Sequence, residues 1–174
     1  MNSNIAKRAF SSLYQYGHAS NPRVWLSVAN NGNKIGDMVF ELYENKQPAF
    51  ADHFQHMVAE KLVGSSFQSG MAGLGIKAGR LDDENNGVAG AWNPDGDLTV
   101  RHHKRGLLTS CTDQNNRNGG EFMITFDEAH MLNGSQTVFG ELVEGQSVLD
   151  ELEKHVDRHG KVAEGLTIVE AGAK

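Results

Sequence analysis

Apolar and polar positions alternate with a period of two where the patterned part of the chain begins. Val24, Leu26 and Val28 alternate with Trp25, Ser27 and Ala29, and Met38, Phe40 and Leu42 with Asp37, Val39 and Glu41. That period belongs to strands with one buried face. Asn30-Asn31-Gly32-Asn33 between them is rich in turn formers, so the two segments predict a hairpin. The period then changes. Asn45 is placed to cap a helix with Pro48 in its first turn. Phe50, Phe54, Met57 and Val58 follow at helical spacing, as in a helix packed on a sheet. A second stripe, Val148, Leu149, Leu152 and Val156, predicts a helix starting at Gly145, and Leu166, Ile168 and Val169 predict a closing strand.

The most informative stretch runs from Asn118 to Leu142. Its apolar runs Phe122-Met123-Ile124 and Thr137-Val138-Phe139 read as two antiparallel strands. Asn133-Gly134 predicts a tight reversal, because both residue types tolerate positive φ. Met131 and Leu132 would then project over one edge, with Glu121, Met123 and Gln136 facing the same depression. The plainer alternative is a hairpin of ordinary core residues. The order strand, strand, helix, several short strands, helix, strand predicts a mostly β fold, a closed barrel with a helix over each end.

Composition narrows the function classes. A chain of 174 residues fits one domain with a sizeable core. A net charge of −6 argues against nucleic acid, whose binding needs a basic face. No run of 18 apolar residues exists to span a membrane. Cys111 is the sole cysteine, reads as a buried inert thiol, and fits a reducing compartment. No acidic residue precedes Asp37, while Ile5, Ala9, Leu13 and Tyr16 share a helical face. Arg8-Ala9-Phe10-Ser11 resembles the cleavage pattern of a mitochondrial leader. Residues 1–20 are therefore expected to form an extension or targeting leader, and 21–174 the domain. Mitochondrial residence is the expectation. The alternatives are an extension that targets nothing, leaving the chain cytoplasmic, or a segment retained to dock on a partner.

Other motifs carry less. Gly70-Met71-Ala72-Gly73-Leu74-Gly75 lacks the order of a nucleotide-binding loop. His53 and His56 lack metal-ligand spacing, and Asp82, Asp83, Glu84, Asp95 and Asp97 lack calcium-loop spacing, so no metal is expected. Arg101-His102-His103-Lys104-Arg105 reads as the solvated start of a strand rather than an anion site.

Several segments in order resemble the cyclophilins, barrel-fold peptidyl-prolyl isomerases. They are Asn21-Pro22-Arg23-Val24 with Gly36 to Tyr43, Lys46-Gln47-Pro48 with Phe54, and Gly64-Ser65-Ser66-Phe67. Asn118-Gly119, Glu121-Phe122, Leu132-Asn133-Gly134 and Val138-Phe139-Gly140 continue the match, and Gly145, Val148 and Thr167-Ile168 complete it over roughly residues 21 to 172. The resemblance implies a closed eight-stranded antiparallel β-barrel capped by two α-helices. It also implies an enzyme that needs no cofactor or covalent intermediate. Its site would hold a proline ring in an apolar pocket and favour the twisted amide with a cationic donor.

Mapped by motif, the site departs from the family. The histidine-arginine pair, whose arginine is the catalytic cation, is here Gln68-Ser69. A pocket phenylalanine and methionine become Leu74 and Gly75, and a glutamine becomes Lys77. Glutamine-phenylalanine-phenylalanine becomes Glu121-Phe122-Met123, and a tryptophan becomes Met131 beside the retained Leu132. A histidine becomes Gln136, and alanine-asparagine on the peptide-binding edge becomes Cys111-Thr112. The resemblance thus implies a substrate-binding set of Leu74, Lys77, Cys111, Thr112, Glu121, Met123, Met131, Leu132 and Gln136, with no catalytic residue assigned. Gly75 is expected to leave the pocket wider and looser, and Lys77 to be at most a weak substitute for the cation. Two classes follow. One is a non-catalytic binding or structural subunit of a larger assembly, contacting a protein partner or proline-containing segment and binding cyclosporin poorly. The other is a weakly active isomerase.

Overall fold

The computed structural model describes residues 15–79, 96–112 and 118–174. Residues 1–14 of the leader expected at 1–20, most of the polar excursion at 81–97, Arg80 and Arg117 lie outside the described residues. Eight strands are all antiparallel to their neighbours: β1 (Arg23–Asn30), β2 (Asn33–Leu42), β3 (Ser69–Met71), β4 (Gly75–Ala78), β5 (Leu107–Thr112), β6 (Asn118–Thr125), β7 (Val138–Glu144) and β8 (Leu166–Ala173). Helix α1 (Pro48–Glu60) follows β2, and α2 (Gln146–Lys154) follows β7.

The first hairpin forms as its pattern predicts. Asn31 and Gly32 both take positive φ, 49° and 79°, which is the conformation a two-residue hairpin turn needs. Val24, Leu26, Val28, Met38, Phe40 and Leu42 enter the main core. So do Phe50, Phe54, Met57 and Val58 of α1 and Val148, Leu149 and Leu152 of α2. Val156 lies past α2 and packs on the core half-buried.

The capping expectation needs correction. Gln47, not Asn45, precedes α1, and its side chain makes no cap bond. It reaches instead to residue 97, donating to the Asp97 carbonyl (2.8 Å) and accepting from the Asp97 N–H (2.9 Å). Asn45 binds Asn21 and the Tyr16 carbonyl, so residues 16–21 lie against the domain. Tyr16 packs its ring 5.7 Å from Tyr43.

The sheet order is β3-β4-β6-β5-β7-β2-β1-β8, which corrects two expectations. First, β6 and β7 are not a hairpin; β5 lies between them and pairs with both. Second, the sheet is a curled, open half-barrel with β3 and β8 at its edges, not a closed barrel. Other backbone covers those edges. Gly64 donates to Ile168 (2.7 Å), Ile168 to Ser65 (2.9 Å) and Phe67 to Leu166 (3.0 Å). On the opposite edge Gly70 donates to Gly160 (2.9 Å). Only Ser66 and Thr167 pair as a bridge, so the 64–67 segment satisfies the β8 edge without becoming a ninth strand.

Candidate functional site

Strand pairing places the site residues on one face of the sheet. Ser69 pairs with Lys77, Lys77 with Met123, and Met123 with Thr109, giving one row across β3, β4, β6 and β5. Paired residues share a face, and neighbours along each strand point the other way. Those neighbours, Ile76, Ala78, Phe122, Ile124 and Leu108, are members of the main core. The Ser69–Lys77–Met123–Thr109 row therefore lies on the face opposite the main core, and Glu121, two residues before Met123, shares that face.

Over this row sits the loop after β6. A single 3-10 turn, His130–Leu132, is followed by Asn133 at φ −62°, ψ 134° and Gly134 at φ 79°. Those angles match a type II turn, in which only the glycine needs positive φ. The reversal is real, but it folds Leu132 back over the sheet rather than joining two paired strands. Cys111, Met123 and Leu132 gather with Ala129 into an apolar cluster separate from the main core, with Leu74 packed against it. Sequence reasoning named four of these five; Ala129, a small residue in a polar loop, gave no signal.

A buried histidine fastens that loop. His102 is 0 % exposed. Its N–H (2.8 Å) and its Nδ1 (2.9 Å) both bond the Asn133 Oδ1, and its carbonyl accepts from the Ala129 N–H (3.0 Å). Burial pulls the His102 pKa below its usual value, so the ring is neutral at neutral pH. With Nδ1–H donating to Asn133, Nε2 accepts the Thr109 hydroxyl at 2.8 Å. Thr109 is the row residue opposite Met123, so one side chain ties loop to sheet. The solvated reading of residues 101–105 is corrected accordingly. Lys104 pairs with Glu141, and the Arg105 guanidinium binds Glu153 (2.6 Å), Asp150 (2.7 Å) and the Phe126 carbonyl (2.8 Å). A lone buried histidine inside a run of cations has no sequence signature.

The expected wider pocket is also corrected. A Cβ at Gly75 would stand 2.8 Å from Met123 Cγ, 2.9 Å from its Sδ and 2.7 Å from the Ile124 carbonyl oxygen. The Met123 side chain thus fills the room that the glycine vacates. Met123 is only 1 % exposed, Cys111 4 % and Leu132 9 %. Burial pushes the Cys111 thiol up to about 12, the Lys77 charge lowering it and the Glu121 charge raising it, so the thiol is inert at neutral pH. Leu74 is half-buried and Met131 is 68 % exposed at the rim. Gln136 is half-buried with its Oε1 unpartnered, and Thr112 lies past a bulge in β5, paired with Asn118.

The remaining chemistry is sparse. Among the described residues, no three of His, Cys, Asp and Glu converge to hold a metal ion, and no helix is long and apolar enough to cross a membrane. A separate depression lies beneath α1, between Phe50, Phe54, Met57, Phe122 and Phe139, with Ser110, Asn118, Gly119, Gly120 and Glu121 also lining it. His53, half-buried at its rim, contacts the Gly119 carbonyl (3.3 Å), and burial lowers its pKa. Residues 26–173 match the family described as cyclophilin type peptidyl-prolyl cis-trans isomerase/CLD. The antiparallel half-barrel, its two helices and that match over most of the length agree, and the chain belongs to the cyclophilin-type peptidyl-prolyl cis-trans isomerase family.

Proposed function

We propose that this domain is a peptide- or protein-binding member of its family whose isomerase site is degenerate, serving as a binding or structural subunit of a larger assembly. One observation carries the reading. Met123, where the floor of a proline pocket is expected, is 1 % exposed and packed into the space beside Gly75. A side chain so covered offers a proline ring no surface until it moves. Ser69 adds to this: at the position mapped to the catalytic cation it supplies a short neutral hydroxyl. Lys77, across from it, carries a flexible point charge rather than a fixed fork of donors. Losing one preorganised donor costs about 10²–10³ in rate. What remains for recognition is the exposed rim, with Met131, the half-buried Leu74 and the Gln136 Oε1 as an acceptor for a peptide N–H.

The proposal extends to poor cyclosporin binding, since the arginine and tryptophan positions hold Ser69 and Met131. It extends also to residence in a mitochondrial assembly, on the acid-free N-terminus. Titrating a labelled chain with a proline-containing peptide and following its NMR spectrum tests the reading. Shifts confined to residues around Leu74, Met131 and Gln136, with no acceleration of cis-trans exchange in the peptide, are the expected result. Accelerated exchange would contradict it.

A further inference from the structure

Among the described residues, two charges on the sheet face opposite the main core have no ion-pair partner. Lys77 stands beside Met123 on β4, and Glu121 lies two residues before Met123 on β6. They are diagonal neighbours across the β4–β6 pair, and the buried Cys111 on β5, beside β6, feels both charges. Among the described residues neither forms a hydrogen bond or an ion pair, with the other or with any side chain, and both are half-buried. A half-buried charge left unpaired gives up hydration without an ionic partner in return, so a ligand of matching charge gains from both.

We propose that this face selects an extended protein segment carrying a basic side chain over Glu121, an acidic one over Lys77 and an apolar one beyond, toward Leu74 and Leu132. The spacing follows from the sheet. Glu121, the Met123–Lys77 row and Gly75 succeed one another at two-residue steps along the paired strands. Same-face side chains of an extended ligand repeat at about 6.7 Å, two residues at about 3.3–3.4 Å each. The ligand therefore reads basic-x-acidic-x-apolar, with the x side chains pointing away. The apolar residue lands where Met131 is 68 % exposed and Leu74 half-buried. This inference rests on the peptide-binding reading above and names the class of segment bound.

A random-peptide phage library selected on the full chain tests it. Enriched peptides are expected to carry a basic and an acidic residue two positions apart, followed by an apolar one. The Lys77→Glu/Glu121→Lys double reversal is expected to invert that charge order, with each matched charge contributing about tenfold in affinity, or about 1.4 kcal/mol. The single Lys77→Gln and Glu121→Gln variants, which only neutralise, are expected each to erase one half of the preference. Enriched peptides without the charge pattern, or a pattern indifferent to these substitutions, overturn the inference. In that case the binding reading itself stands if Met131→Asp still abolishes capture. No enrichment at all overturns both.

Discussion

Met123 occupies the place that a side chain at Gly75 would take, its Sδ 2.9 Å and its Cγ 2.8 Å from the nearest atom such a side chain would add. A methionine does this readily because its unbranched, polarizable chain bends into irregular gaps. With no side chain at Gly75, Met123 lies against that position, and it clusters with Cys111, Ala129 and Leu132. Gly75→Ala is expected to destabilise the domain by about 1–3 kcal/mol through overpacking against Met123 and the Ile124 carbonyl. Met123→Ala is expected to cost about 2–5 kcal/mol as a cavity. The double substitution should cost less than the sum, because alanine at 123 removes the Met123 part of the clash and leaves only the Ile124 carbonyl. Urea unfolding of the three variants measures the coupling.

The closed cluster also bears on the proposal that the site lacks a fixed cation. Ser69→Arg returns a guanidinium to β3, opposite Lys77. With Met123 still covered, turnover is expected to stay within about tenfold of the parent in a proline-isomerisation assay. A gain of about 10²–10³, the size of one preorganised donor, would mean that the pocket is already open.

Cys111 is 4 % exposed, and its thiol is pushed up to about 12 by burial. A thiol titrant applied to the native chain near pH 8 is expected to react slowly, and to count one thiol per chain only after denaturation. Fast labelling of the folded chain would show that the cluster opens readily.

The His102 clamp predicts an acid limit on stability. Burial holds the His102 pKa below the unfolded value of about 6.5. As pH falls below about 6.5 the unfolded chain takes up a proton that the folded ring still refuses. The stability from this site is thus complete above that pH and declines as pH falls through the lowered folded value. His53 and His103 are shifted the same way by burial and add to the slope. His102→Gln is expected to lower stability at pH 7 and to flatten its dependence between pH 7 and 5, read from urea midpoints. Asn133→Ala, which strips one acceptor from two buried donors, should cost about 1–3 kcal/mol. It should also speed hydrogen exchange at the Ala129 amide.

How much of this the sequence carries depends on the range of the interaction. The β1–β2 hairpin was legible because alternation and the Asn31-Gly32 turn are local and agree. The helix stripes were legible for the same reason. The same dipeptide at Asn133-Gly134 misled: Asn133 takes negative φ, and the strands on either side pair with β5 rather than each other. That insertion is a long-range pairing, which no window of neighbouring residues reports. Closure of the barrel failed similarly, since segment 64–67 meets β8 through bonds that reach a hundred residues along the chain. In the site, Leu74, Met123 and Leu132 were grouped from motif positions, and Cys111 was assigned apart from them, to the peptide-binding edge. The filled state of the pocket was not legible, because it depends on the rotamer one side chain adopts beside a glycine.

The central proposal is that the family's half-barrel carries a closed proline pocket with no fixed cation beside it. The measurement that meets it most directly is kcat/KM for cis-trans isomerisation of a proline-containing peptide by the purified chain, set beside an active family member under the same conditions. The account predicts a value at least about 10²-fold lower, or no turnover above the uncatalysed rate. A value within about tenfold of the active enzyme would contradict it.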